Sequence, residues 1–183
     1  MYDYNLLVSY AAPYMAARGE ALRLLATLGD HSPRIGRTVA RGILCVKTTL
    51  DSRQVIRSLH EIYNKDPLTF QFTLKWVPID VWTSSELEAM RGEVAKLRGQ
   101  ILPGERWGMT VEKRRYTTHH RAEIIASLAE LIDNKVDLKQ PDKILRVEII
   151  GRYAGVAVVT PKDLFSTTKP HPEETAEKPP LES

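Results

Sequence analysis

The order of strand-like and helix-like segments in the first eighty residues constrains the fold most strongly. Residues 4–10 and 43–47 are apolar runs typical of buried strands. Residues 70–76 alternate apolar and polar side chains, the pattern of a strand with one buried face. Residues 14–28 and the segment after Asp51 instead carry apolar residues at helical spacing. A further strand-like piece begins near Arg34, which completes the order β-α-β-β-α-β.

This order matches a split βαβ unit of the ferredoxin-like type. We therefore predict an α+β protein whose residues 1–82 form an N-terminal ferredoxin-like domain. The hydrophobic share of the whole chain, 43%, is enough for a buried core.

A second unit is predicted after Pro78, with a different element order. Ser85 and Glu88 have the spacing of a capping box for a helix that continues to Leu102. We predict that a strand from Trp107 and a helix over residues 118–134 follow. Two further strands, over 143–150 and 153–160, are predicted to be joined at Gly151–Arg152 in a tight hairpin. We assign residues 83–166 to this second, α/β domain.

The last segment, residues 167–183, is rich in Pro, Glu, Lys and Thr. Such a composition does not bury a core, so we predict a disordered tail. Cys45 is the single cysteine of the chain, which excludes a disulfide framework and favours a reducing compartment. No apolar run is long enough to span a membrane, and no leader opens the chain, so we expect a cytoplasmic protein.

Positive charge is concentrated in one part of the chain. The net charge is only +3, but residues 91–121 hold eight Lys or Arg against three Glu. Where the strand from Trp107 ends and the next helix begins, six cationic or protonatable side chains follow closely: Lys113, Arg114, Arg115, His119, His120 and Arg121. We call these six residues the basic corner. Thr117 or Thr118 is expected to cap the helix.

The basic corner has the chemistry of a phosphate site. A helix N-terminus offers unpaired N–H groups and a partial positive charge, and the added cations favour an anion there. The alternative is an ordinary solvated charge run. Further cations that would join the corner in a compact fold are Arg98 and Arg106, while Arg152 and Tyr153 in the hairpin could contact a nucleotide. Arg34, Arg37 and Arg41 would either extend an RNA track or be ordinary exposed charges.

We expect no catalytic residues, no metal site and no cofactor. Adjacent histidines on a helix point about 100° apart, so His119 and His120 do not easily bind one ion. No nucleophile elbow, P-loop or dinucleotide-binding glycine motif is present. Asp137 and Asp142 flank Pro141, where they are expected to cap a turn.

The second unit resembles a THUMP domain. The resemblance rests on TVEKRRYTTHHRAEIIASLAELI, which begins at Thr110, and on VDLKQPDKILRVEIIGRYAGVAVVT, which spans residues 136–160. The preceding ferredoxin-like unit is similar to the one that accompanies THUMP domains in several tRNA-modifying proteins. The resemblance implies binding of tRNA, through its acceptor end and its phosphate backbone, at the basic corner.

The resemblance also implies a function. Because no catalytic domain follows Phe165 in this sequence, the chain is most similar to the stand-alone THUMP adaptor of the tRNA cytidine acetyltransferase, which makes 4-acetylcytidine in the D-arm. We therefore expect a non-catalytic protein that presents tRNA to this partner enzyme. The alternatives are an RNA-binding subunit for a methyltransferase or thiouridine synthase, and a tRNA-modifying enzyme in its own right.

Overall fold

The computed structural model describes residues 2–167 of the chain, and these residues form a mixed α/β protein with two β-sheets. The disordered tail predicted for residues 167–183 lies outside the described residues, except for Thr167.

The first sheet contains the elements predicted for the N-terminal half. These are β1 (Leu6–Tyr10), α1 (Tyr14–Thr27), β2 (Arg34–Arg37), β3 (Ile43–Lys47), α2 (Ser52–Lys65) and β4 (Thr73–Pro78). The strands are antiparallel in the order β2-β3-β1-β4, and both helices pack on one face of the sheet. Asp51 caps α2 as expected, because its carboxylate accepts a hydrogen bond from the N–H of Gln54 at 2.8 Å.

A buried carboxylate explains why β4 begins three residues later than predicted. Glu20 on α1 is 1% exposed and accepts hydrogen bonds from the backbone N–H groups of Gln71, Phe72 and Thr73. Those N–H groups bind a side chain before the strand begins. The alternating pattern that starts at Phe70 still packs Phe70 and Trp76 into the core.

The second sheet contains the elements of the C-terminal half. They are β5 (Val81–Ser84), α3 (Leu87–Leu97), β6 (Trp107–Arg114), α4 (Arg121–Ala129), β7 (Lys143–Ile150) and β8 (Tyr153–Val159). The strand order is β5-β8-β7-β6, with β6 parallel to β7 and the other neighbours antiparallel. The predicted hairpin at Gly151–Arg152 is confirmed, and Gly151 has a positive φ of 59° that suits a glycine.

Two helices of this half differ from their predicted extents. The helix α3 begins after Glu86 and ends at Leu97, followed by a 3-10 turn, whereas Ser85 and Leu102 were expected as its limits. The helix α4 has His120 at its N-cap rather than Thr117 or Thr118. Glu123 accepts a hydrogen bond from the N–H of His120 at 2.6 Å and closes this end instead.

The two sheets are joined by an apolar contact that we call the junction. It includes Leu7, Ala40, Ile43, Cys45, Val77, Ile79, Trp82 and Ile150, all buried. Arg53 on α2 adds a bidentate ion pair with Asp80, at 2.8 and 2.9 Å, and donates to the carbonyl of Val158. A short strand β9 (Phe165–Ser166) then returns to pair with β4 of the first sheet. Between residues 2 and 167, no helix is long and apolar enough to cross a membrane.

Candidate nucleic-acid interface

The end of β6 brings the basic corner and the hairpin together. Because β6 and β7 are parallel, both end at the same edge of the second sheet. There the N–H of Gly151 donates to the carbonyl of Arg114 at 2.9 Å. Arg152 and Tyr153 therefore lie beside the end of β6, a placement that the sequence did not predict.

Arg115 is the most available cation of the corner. Its side chain is exposed and makes no hydrogen bond or ion pair within the described part of the chain. It also has a φ of 56°, which makes it the one non-glycine residue of the described range with positive φ. Side chains rarely adopt this conformation, which costs about 1–2 kcal/mol. A strained, exposed arginine is a candidate for function rather than for stability.

Arg114, in contrast, is paired with a buried carboxylate. Its guanidinium donates to Glu148 at 2.8 Å, and 3% of the Glu148 side chain is exposed. Arg146 binds the other oxygen of the same carboxylate at 2.7 Å and is 11% exposed. Arg146 and Glu148 lie on one face of β7, and this face is covered because it points to the junction. Arg114 therefore stabilises the fold, and although 30% of its side chain is exposed, its guanidinium is already engaged by Glu148.

The remaining members of the corner are partly engaged with each other. The ammonium group of Lys113 donates to the carbonyl of His119 at 2.9 Å, which closes the turn before α4. Arg121 lies 3.8 Å from Glu112, and His119 lies 3.8 Å from Glu123. The two contacts at 3.8 Å are long and at least partly exposed, so they leave Arg121 and His119 able to turn to another anion.

Two predicted site residues lie elsewhere. Arg98 donates to the carbonyl of Leu131, beyond the C-terminal end of α4, whereas the basic corner lies at its N-terminal end. Arg106 precedes β6, so the eight residues of that strand, or about 26 Å, separate it from the corner. Arg98 lies beside the C-terminal end of α4, and Arg106 lies before the first residue of β6. The basic corner lies at the opposite end of both elements, so the structure does not bring Arg98 and Arg106 to it.

The carboxylates near Arg106 have the structural role that was expected. Asp137 accepts hydrogen bonds from the N–H groups of Lys139 and Gln140 and lies 2.9 Å from Arg106. Asp142 accepts from the N–H of Arg106 at 2.7 Å. These hydrogen bonds and the charge of Arg106 lower the pKa of both carboxyl groups below the usual value.

Tyr153 is chiefly a packing residue. Its ring lies at the edge of the junction and makes an edge-to-face contact with Tyr2 at 5.6 Å. Arg152 is exposed, with its guanidinium 5.9 Å from the centre of that ring. Of the two, Arg152 is the better placed for an RNA phosphate.

The three members of the second cationic set differ in their contacts. Arg34 pairs with Asp3, and the guanidinium of Arg37 lies 3.9 Å from the centre of the Tyr14 ring. Arg41 is exposed and makes no hydrogen bond or ion pair through its side chain with any residue from 2 to 167. Within that range, no group of three or more His, Cys, Asp or Glu side chains could hold a metal ion.

No protein-family profile matches this chain, and no curated protein matches it. Solved structures do share its fold. The protein PH1313 from Pyrococcus horikoshii is 16% identical, with a TM-score of 0.58 over 87% of this chain and 54% of its own. A 4-thiouridine synthetase, solved with RNA and bound ATP, is 11% identical, with a TM-score of 0.52 over 89% of this chain and 42% of its own. This chain thus spans about half the length of either protein.

A THUMP domain is also among the matching structures. The solution structure of the THUMP domain of THUMP domain-containing protein 1 is 27% identical over 40% of this chain and 84% of that domain, with a TM-score of 0.37.

These comparisons correct one expectation from the sequence. The prediction that the protein is not an enzyme is contradicted, because the fold that covers most of this chain occurs in a synthetase with bound ATP. That prediction was based on the absence of known catalytic motifs from these residues. Such an absence does not indicate in which kinds of protein the fold occurs.

Proposed function

We propose that this chain is the RNA-binding part of a tRNA-modifying enzyme and that it belongs to the THUMP-domain proteins. The observation that carries this proposal is the exposed, unpaired Arg115 directly after β6, beside the hairpin that carries the exposed Arg152. The likeness to a synthetase that was solved with RNA supports it. The motif over residues 136–160, which forms the end of the connector and the β7–β8 hairpin, supports the THUMP assignment.

The interface that we propose is smaller than the sequence suggested. It consists of Lys113, Arg115, His119, His120, Arg121 and Arg152. Arg114 is not part of it, because its guanidinium binds Glu148. Binding to the acceptor end and the phosphate backbone of tRNA follows from the THUMP assignment. Phosphate contacts give affinity that decreases with salt, by a logarithmic slope of about 0.7–0.9 for each neutralised phosphate.

The finer parts of the assignment are also proposals. The strand order β2-β3-β1-β4 supports a ferredoxin-like N-terminal domain. Its limits at residues 1–82 and 83–166 stay predictions, since β5 crosses them and β9 returns to the first sheet. A cytoplasmic location, which was expected from the single cysteine and the lack of a long apolar run in the sequence, stays a prediction. A methyltransferase, thiouridine synthase or cytidine acetyltransferase as the enzyme follows from the resemblance.

Filter binding of labelled tRNA to the purified protein at several salt concentrations tests this proposal. We expect retention that falls with salt and that weakens when the 3′-terminal nucleotides of the tRNA are removed. A protein that retains no tRNA at low salt, or that retains a DNA duplex of equal charge equally well, would contradict the proposal. Mass analysis of tRNA nucleosides after incubation with the protein and cofactors tests whether this chain itself carries out a modification.

A further inference from the structure

A loop of the first sheet lies against the basic corner of the second sheet. A methyl group added at Gly151 would lie only 3.2 Å from Cγ2 of Val39, in the loop of residues 38–42 between β2 and β3. Gly151 in turn donates a hydrogen bond to the carbonyl of Arg114. The β2–β3 loop, the β7–β8 hairpin and the end of β6 therefore meet at one place.

A second observation fixes the same arrangement. A cavity of about 20 Å³ lies inside the junction, lined by Ile43 of β3 and by Arg114 and Glu148 of the second sheet. Ile43 directly follows the β2–β3 loop. The β2–β3 loop and the end of β6 therefore lie on opposite sides of the junction. They approach each other at the surface, near Val39 and Gly151, and in the interior, around the cavity.

Each of the three meeting segments carries one exposed arginine whose guanidinium makes no hydrogen bond or ion pair with any described residue. Arg41 is in the loop, Arg115 follows β6, and Arg152 is in the hairpin. No hydrogen bond or ion pair engages the side chain of any of them within residues 2–167. Like charges brought together without carboxylates repel each other, and this repulsion is a cost of folding that a bound polyanion removes.

The chemistry of these side chains favours phosphate. An arginine guanidinium presents a planar fork of donors that matches two phosphate oxygens at once. Arginines that are exposed and not held by carboxylates keep this fork available. A strand of RNA carries phosphates in series, and three such forks can hold neighbouring phosphates of one strand.

We propose that Arg41, Arg115 and Arg152 form one phosphate-binding surface and that the bound RNA crosses the junction between the two sheets. This inference rests on the proposed function, and it adds a contact from the first sheet that the basic corner does not contain. The buried junction and the Arg53–Asp80 pair hold the two sheets in one orientation. The surface is therefore formed before RNA binds.

The test compares two charge reversals in the whole chain, with tRNA as the probe. Arg41→Glu is expected to weaken tRNA binding about five- to tenfold and to reduce the logarithmic salt slope by about 1. The matched control is Arg23→Glu, the same change at an exposed arginine on α1, on the opposite face of the first sheet. The control is expected to change the dissociation constant less than twofold. Both sites are exposed, so thermal unfolding of both variants should match the wild type.

The outcomes separate this inference from the proposed function. If Arg115→Glu weakens binding but Arg41→Glu behaves like Arg23→Glu, the RNA stays on the second sheet and the inference is overturned. If the wild type binds no tRNA, the proposed function itself fails. The double variant Arg41→Gln/Arg115→Gln is compared with the two single glutamine variants. If both arginines hold one RNA strand, its loss of binding free energy should differ from the sum of the two single losses.

Discussion

The guanidinium of Arg114 binds the carboxylate of Glu148 at 2.8 Å, at a position where Glu148 is almost completely buried. Glu148 also binds Arg146, so one buried carboxylate holds two arginines at the junction of the two sheets. This relationship gives Arg114 a structural role, and under the proposed function Lys113 and Arg115 are the residues for binding. The first two predictions that follow test this division.

Reversal of the charge at Arg114 is expected to destabilise the protein. Arg114→Glu places a second carboxylate beside buried Glu148 and should lower the free energy of unfolding by about 3 kcal/mol. Arg114→Gln keeps a donor and should cost about 1 kcal/mol. Urea denaturation followed by circular dichroism measures both values. Equal stability of Arg114→Glu and the wild type would show that this pair does not stabilise the fold.

Arg115 should have the opposite effects on binding and stability. Arg115→Gly removes the strained side chain at φ 56° and should raise the free energy of unfolding by about 0.5 kcal/mol. The same variant should weaken tRNA binding about fivefold, because it removes a phosphate contact. Arg115→Glu should weaken binding about tenfold with little change in stability. Filter binding and thermal unfolding of the two variants test this, and a loss of stability in the glycine variant would contradict it.

Arg106 should not contribute to RNA binding. It lies at the far end of β6 and is already paired with Asp137 and Asp142. Arg106→Gln should leave the dissociation constant for tRNA within twofold and cost up to about 1 kcal/mol of stability, as expected for partly exposed ion pairs. Arg98→Gln should likewise leave binding unchanged. A fivefold loss of affinity in either variant would show that the interface extends beyond the basic corner.

Glu20 should be essential for the fold. Its buried carboxylate accepts hydrogen bonds from three backbone N–H groups and from the hydroxyl of Thr73 at 2.7 Å. Glu20→Gln replaces one accepting oxygen by an NH2 group, which cannot accept a hydrogen bond from these N–H and O–H groups. This change should lower the free energy of unfolding by about 2–3 kcal/mol. Denaturation of this variant beside Glu61→Gln, at an exposed position on α2, separates the buried contact from a general loss of charge.

Asp163 should make stability depend on pH. Burial alone would raise its pKa, but hydrogen bonds from the N–H and hydroxyl of Thr160 and from Arg57 outweigh burial and lower the pKa below 3.8. The stabilisation is therefore fully present above the ordinary pKa and is lost as the pH falls through the lowered folded-state value. Asp163→Asn should be less stable than the wild type by about 2 kcal/mol at pH 7. That difference should shrink as the pH falls below about 4, and urea titrations at several pH values measure it.

The sequence by itself determined most of the elements. Hydrophobic periodicity depends only on neighbouring residues, so the strands, the order β-α-β-β-α-β and the hairpin at Gly151 could be predicted. Helix limits were less accurate: His120 at the N-cap of α4 was missed because Glu123 rather than a threonine binds the end of that helix.

Only the tertiary structure decided which cations face solvent. Arg114 and Arg115 are neighbours with the same side chain, yet one binds a carboxylate 34 residues away and the other binds nothing in the described chain. The position of the β2–β3 loop beside the β7–β8 hairpin likewise depends on how the first sheet packs against the second. A pairing between distant residues leaves no periodic signal in the chain, since it is fixed by the packing of strands and by the burial of charge at their junction.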